Sequence, residues 1–169
     1  CSVKRAERFT EPRTVPALYG SNASITLNSV SITVQEGGDA VILRDSRMTC
    51  TDTSVTSNQS AQAVLVRAKK STVSALRSTF SASGLMALCF DFVETQCTLT
   101  DTVCNLAARY TGRLAELTGS TVKLQKLQCS YTSPLFESMD AAIIADNASK
   151  TELSESVELT GFTEALVRR

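Results

Sequence analysis

Thiols, carboxylates and guanidinium groups are the side chains of this sequence with chemistry to offer, because it contains neither histidine nor tryptophan. Lack of histidine removes the commonest general base at neutral pH and the commonest ligand for zinc. The six cysteines stand at Cys1, Cys50, Cys89, Cys97, Cys104 and Cys129. None forms a CxxC pair, so neither a zinc site nor a thioredoxin-type exchange centre is indicated. An even count permits disulfides in an oxidising compartment. The alternative is small buried hydrophobes in a reducing one, and no cofactor or metal is expected.

The charged residues fall into two series at nearly constant spacing. Arg67, Asp91 and Glu116 follow one another at 24 and 25 residues, with Arg44 at a related place; Asp52, Arg77, Asp101 and Lys126 follow at 25, 24 and 25. Bases alternate with the acids in the second series and accompany them in the first, which neutralises them and leaves little capacity for a hard cation. Each series reads as a ladder of surface ion pairs worth about 0–1 kcal/mol apiece, with a binding row as the alternative. Over the whole chain 17 basic residues balance 17 acidic ones, and that argues against phosphate-backbone binding. No apolar run approaches the roughly 20 residues of a membrane span, and the start shows no signal-peptide pattern. N-x-Ser sequences occur at Asn22, Asn58 and Asn147, sites for glycans in a secreted eukaryotic protein.

The same spacing organises the apolar residues. Ten-residue units beginning at Ser21, Ser46, Ser71, Thr95 and Ser120 fall into register. Position three holds Ala23, Met48, Val73, Cys97 and Val122; position five holds Ile25, Cys50, Ala75, Leu99 and Leu124; position ten holds Val30, Val55, Phe80, Cys104 and Cys129. Positions two and four are polar throughout. This is the period-two alternation of a half-buried strand, repeated at a fixed interval, as in a solenoid whose stacked coils share one core. Cysteines sharing columns with aliphatic residues read as buried thiols, although Cys104 and Cys129, about one strand spacing apart, are near enough for a disulfide.

A second strand precedes each unit: Ala40–Leu43, Ala63–Val66, Ala87–Phe90, a weaker Gly112–Ala115 and a later Ala141–Ile144. With Ala40, Ile42, Ala63, Leu65, Ala87 and Cys89 inward, alternation sends Val41, Leu43, Val64, Val66, Leu88 and Phe90 outward. A strand apolar on both faces is covered on both. The cover is expected to be either the chain's own termini or a docking partner. On the second view, Val66→Asp or Phe90→Asp abolishes binding and spares the fold. Glu36–Asp39 and Ser81–Gly84 read as turns, and Ser133–Asp140 as an insertion.

This pattern resembles the right-handed parallel β-helix of the pectin-lyase-like superfamily, over about residues 17–162. The resemblance implies architecture: an all-β solenoid of five to six coils of 24–25 residues, with residues 1–16 an N-terminal linker or cap and 163–169 a C-terminal tail or cap. A shorter β-helix, that of tubulin-binding cofactor C, is a poorer likeness because its arginine motif has no counterpart here. Resemblance to polysaccharide lyases would imply clustered acids for Ca²⁺ and a basic proton acceptor. The alternating acids and arginines do not supply that set, and aromatic platforms for sugars are missing. The expected function is therefore non-enzymatic: a protein-interaction or self-association module of a larger intracellular scaffold, cytoplasmic, binding through the apolar strip and binding no nucleic acid. The alternative is a secreted or cell-surface adhesin or carbohydrate-binding β-helix. A Cys1–Ser2 start fits either a lipoprotein or a boundary within a longer protein.

Overall fold

A computed structural model describes residues 15–35, 38–133, 141–154 and 156–169, together with the backbone of residues 2–4. Cys1, residues 5–14 of the expected N-terminal cap, the Glu36–Gly37 half of a turn and residues 134–140 of the insertion lie outside the described residues.

The chain coils as a parallel β-solenoid of about six turns, with no helix among the described residues. Its strands begin with β1 (Ser2–Lys4), β2 (Leu18–Ser21), β3 (Ser24–Asn28), β4 (Ser31–Val34), β5 (Val41–Arg44) and β6 (Arg47–Thr51). The middle coils contain β7 (Ser54–Asn58), β8 (Gln62–Lys69), β9 (Thr72–Leu76), β10 (Thr79–Val93), β11 (Gln96–Thr118) and β12 (Thr121–Thr132). The last are β13 (Ala141–Ala145), β14 (Lys150–Leu153), β15 (Glu158–Thr160) and β16 (Glu164–Arg168). Three faces result. The first stacks β3, β6, β9, the start of β11, the start of β12 and β14. The second stacks β1, β4, β7, the start of β10, the middle of β11, the end of β12 and β15. The third stacks β2, β5, β8, the ends of β10 and β11, β13 and β16.

Inward columns are continuous. On the first face Ile25, Met48, Val73, Cys97 and Val122 lie in register, as do Leu27, Cys50, Ala75, Leu99 and Leu124. Four of the five repeat units thus stack as the sequence predicts. The first is displaced by two residues: Ile25, not Ala23, lies opposite Met48, because this coil has 23 residues where the next has 25. A shift of two returns every side chain to the same face, so the apolar pattern cannot detect it.

Sharp corners divide the faces. Asn22, Asp45, Lys70, Glu94 and Gly119 mark one corner, and Ser29, Asp52, Arg77, Asp101 and Lys126 the next, all at φ between 46° and 57°. Left-handed backbone costs a non-glycine residue about 1–2 kcal/mol. The residue after it supplies compensation. Ser46, Ser71, Thr95 and Ser120 hold that place and are buried, as is Ser149, which stacks on Ser120 without a left-handed residue before it, and each hydroxyl accepts from a backbone N–H of the preceding coil. Ala23 N–H donates to Ser46 Oγ at 3.1 Å, Ser46 N–H to Ser71 Oγ at 3.1 Å, and Thr95 N–H to Ser120 Oγ at 3.0 Å. The same hydroxyls donate two residues back, Ser71 Oγ to Lys69 O at 2.8 Å and Ser120 Oγ to Thr118 O at 3.0 Å. Thr53, Ser78 and Thr102 repeat that back-donation at the second corner. Buried amides that the tight turn would strand are thereby satisfied.

The third bend has no left-handed row: among the described residues only Gly38 (φ 131°) and Gly161 (φ 82°) take positive φ there. Instead two consecutive side chains in each coil enter the core: Ala40–Val41, Leu65–Val66, Cys89–Phe90, Leu114–Ala115 and Ala142–Ile143. Alternation reverses there. Phe90 meets Phe80 edge-on at 5.0 Å between ring centres and Phe92 at 5.4 Å, placing the largest aromatic volume in the middle coils.

Candidate functional site

The reversal corrects the expected apolar strip. Val41, Leu43, Val66 and Phe90 point inward and are at most 1% exposed, within the contiguous core. Ile42, expected inward, shares a column with Arg67, Asp91 and Glu116 on the outer side. Val64 and Leu88 keep the expected outer parity, in register with Arg113. They lie outside the core cluster, yet are 1% and 7% exposed. The six residues therefore offer no open apolar surface.

The charged ladders form in part. Arg67 Nε lies 2.8 Å from Asp39 Oδ2, and its Nη1 is 3.0 Å from Asp91 Oδ2. Burial holds the Asp91 carboxyl above its ordinary range; Arg67 pulls it down, while Glu116 and Asp39 push it up. Glu116 turns to Arg113. Arg44 belongs to another column, opposite Ser21 and Lys69. At the second corner Arg77 grips both carboxylate oxygens of Asp52, at 2.8 and 2.9 Å, and this bidentate bond holds Asp52 below the usual carboxylate range. Asp101 and Lys126 follow at the same left-handed position, which makes the series a corner row rather than a strand row. Of the glycan-acceptor sequences, Asn22 occupies a corner, not the strand position expected, and Asn58 and Asn147 are exposed.

Cys50, Cys89, Cys97, Cys104 and Cys129 are buried thiols. Burial pushes Cys50 up to about 11 and raises Cys89 and Cys97. At Cys104 the bond to Cys129 pulls the thiol down, but the bond to Cys89 and burial push it up, and the net is well above the ordinary value. Such thiols are poor nucleophiles and poor ligands, and no group of three or more metal-binding side chains is gathered among the described residues.

The second face is different in kind. Its outer central row runs Thr33, Thr56, Ser81, Asn105, Ser130 and Thr160. Asn105 ties three coils together: its Nδ2 donates to Ser81 Oγ at 3.4 Å, and its Oδ1 accepts from Ser130 Oγ at 3.1 Å. In the next row Ser83 Oγ donates to Asn58 Oδ1 at 2.7 Å. From β4 through the end of β12 the three outward rows between the corner and Ala107 carry hydroxyls, amides and two small apolar groups, Val103 and Ala107, with no charge; Arg109, the next outward residue of β11, is exposed at the margin of the face. The next charge along these rows is Glu158. A recess of about 210 Å³ opens there, between Val103, Asn105, Gln128, Ser130, Glu158 and Thr160. Sequence reasoning did not find this surface, although its signal was present: the residue after repeat position ten is polar in all five units. A larger recess of about 300 Å³ at the third face pairs Arg113 and Arg169 with Glu116 and Asp146, a self-neutralising set.

The fold thus defines a parallel β-solenoid with one broad face whose central rows carry no charge from β4 through β12. No family model, curated protein or solved structure matches the chain.

Proposed function

We propose that this chain is a non-enzymatic interaction module, part of a larger scaffold, and that it binds through the second face. The observation that carries this reading is the mainly hydroxyl and amide surface, free of charge in its central rows, that spans five coils, held flat by strands in register and by its own cross-coil hydrogen bonds. Rigid, preorganised polar groups lose little entropy on binding. Elsewhere the described ion pairs, such as Arg67–Asp91 and Arg77–Asp52, neutralise one another, and the described thiols are sealed in the core. A carbohydrate-binding reading is favoured by the recess beside Glu158. The thiols do not separate an intracellular from an extracellular setting, because burial protects them in either.

The test uses two charge insertions at exposed positions, Asn105→Lys with Gln128→Lys. Immobilised wild-type chain and an Arg67→Ala control should retain the same bound component from an extract of the source cells, and the double variant should lose it with unchanged far-UV circular dichroism. Equal retention by all three proteins would remove the second face from the reading.

A further inference from the structure

Resting on that reading, we infer that the ligand of the second face is an uncharged glycan chain, and that the recess between β11, β12 and β15 seats one of its pyranose rings. Sugar hydroxyls donate and accept hydrogen bonds without bringing charge, and the side chains they would meet have the same character. Gln128 presents an amide that donates and accepts. The Glu158 carboxylate accepts only, as two neighbouring hydroxyls of one ring would require. Neither side chain has a partner among the described residues. Ser130 and Thr160 add hydroxyls along the next row. Val103 is 36% exposed at the recess and offers a small apolar contact for ring C–H groups.

Other ligand classes fit less well. An anionic polymer finds no cation in the central rows of this face between β4 and the end of β12, only at its margins, Arg109 on one side and the corner residues Arg77 and Lys126 on the other. A protein partner gains most of its affinity from buried aromatic or arginine anchors, and the central rows of this face present no large apolar side chain to serve as one. The same lack of an aromatic ring makes each sugar contact weak. Rows repeating about every 4.8 Å along the axis offer many such contacts, so binding should depend on chain length.

Affinity electrophoresis in gels containing hydroxyethyl cellulose, galactomannan or dextran tests this, with polygalacturonate as the acidic comparison. At least one neutral polymer should retard the wild-type chain, and polygalacturonate should not. Gln128→Ala combined with Glu158→Ala, both at exposed positions, should weaken retardation at least tenfold, whereas Lys123→Ala on the first face should leave it unchanged. Failure of all three neutral polymers, or retardation unaffected by the double alanine variant, overturns the inference. If the polymers fail while Asn105→Lys/Gln128→Lys still loses a protease-sensitive partner, the glycan is wrong and the module stands. If both fail, the second face is not the binding surface.

Discussion

At the residue scale the corner hydroxyls make the sharpest demand. Ser71 Oγ accepts from the Ser46 N–H and donates to Lys69 O. In Ser71→Ala the buried amide keeps no acceptor, and an orphaned buried donor costs about 1–3 kcal/mol. Urea titration should show that loss, whereas Ser74→Ala, on the outer side of β9, should change stability by less than about 0.5 kcal/mol. Asp91 behaves in the opposite sense. Its folded carboxyl lies above the ordinary value, so the charged form is disfavoured at neutral pH and stability rises as pH falls through the folded pKa. Asp91→Asn should therefore raise the melting midpoint at pH 7, by up to about 2 °C, and abolish that acid-side gain. Arg67 keeps Asp39 in the variant. A lower midpoint at pH 7 would mean the Arg67 pair dominates. Asp146 has the reverse linkage. A Ser149 hydroxyl and the Gly119 amide hold its carboxyl down, so its contribution is present above the ordinary carboxylate pKa and fades as pH falls through the lowered folded value.

At the element scale the third bend decides what Val66 and Phe90 do. Both lie in the core, so Val66→Asp and Phe90→Asp bury an unpaired charge and should unfold the chain rather than detach a partner. Phe90→Ala, which removes the ring between Phe80 and Phe92, should cost about 3–5 kcal/mol. Chevron or equilibrium unfolding measures it, and a loss below about 1 kcal/mol would put Phe90 outside the core. Gly112 is a second constraint: a Cβ there would stand 2.3 Å from the Tyr131 ring, which itself stacks on Phe162 at 5.5 Å. These elements also show what the sequence could convey. Columns such as Val73–Cys97–Val122 were legible because strand alternation and coil length together fix them. Strict alternation fails at Val41, Leu43, Val66 and Phe90 because it holds only along an unbent strand, and the paired inward residues Ala40–Val41, Leu65–Val66 and Cys89–Phe90 differ in no residue type from an ordinary alternating apolar strand. The second-face row was legible in principle. It passed unnoticed because serine and threonine on an exposed strand look like ordinary solvent-facing residues until neighbouring coils bring them together.

At the scale of the whole molecule, each coil touches only its neighbours, so stability should be distributed along the axis rather than shared equally. The core narrows toward the C-terminal end: Leu153 is 45% exposed, while Leu124, one coil earlier in the same column, is 1% exposed. Leu18, Ile25 and Leu27 are only partly buried at the other end. Local opening should begin at these ends. The thiols provide built-in reporters, with Cys50 on β6, Cys89 on β10, Cys97 and Cys104 on β11, and Cys129 on β12. Without denaturant none of the five should react with iodoacetamide over minutes, because each is buried and its thiolate is disfavoured. In urea below the main transition, Cys129 and Cys50 should label before Cys97 and Cys104, as read by peptide mass after quenching. Fraying from the termini requires that order, since opening a middle coil exposes two core surfaces and opening an end coil exposes one. Identical labelling rates at all five positions would instead make the solenoid a single cooperative unit, with the Phe80–Phe90–Phe92 cluster coupling coils that nearest-neighbour stacking alone would leave independent.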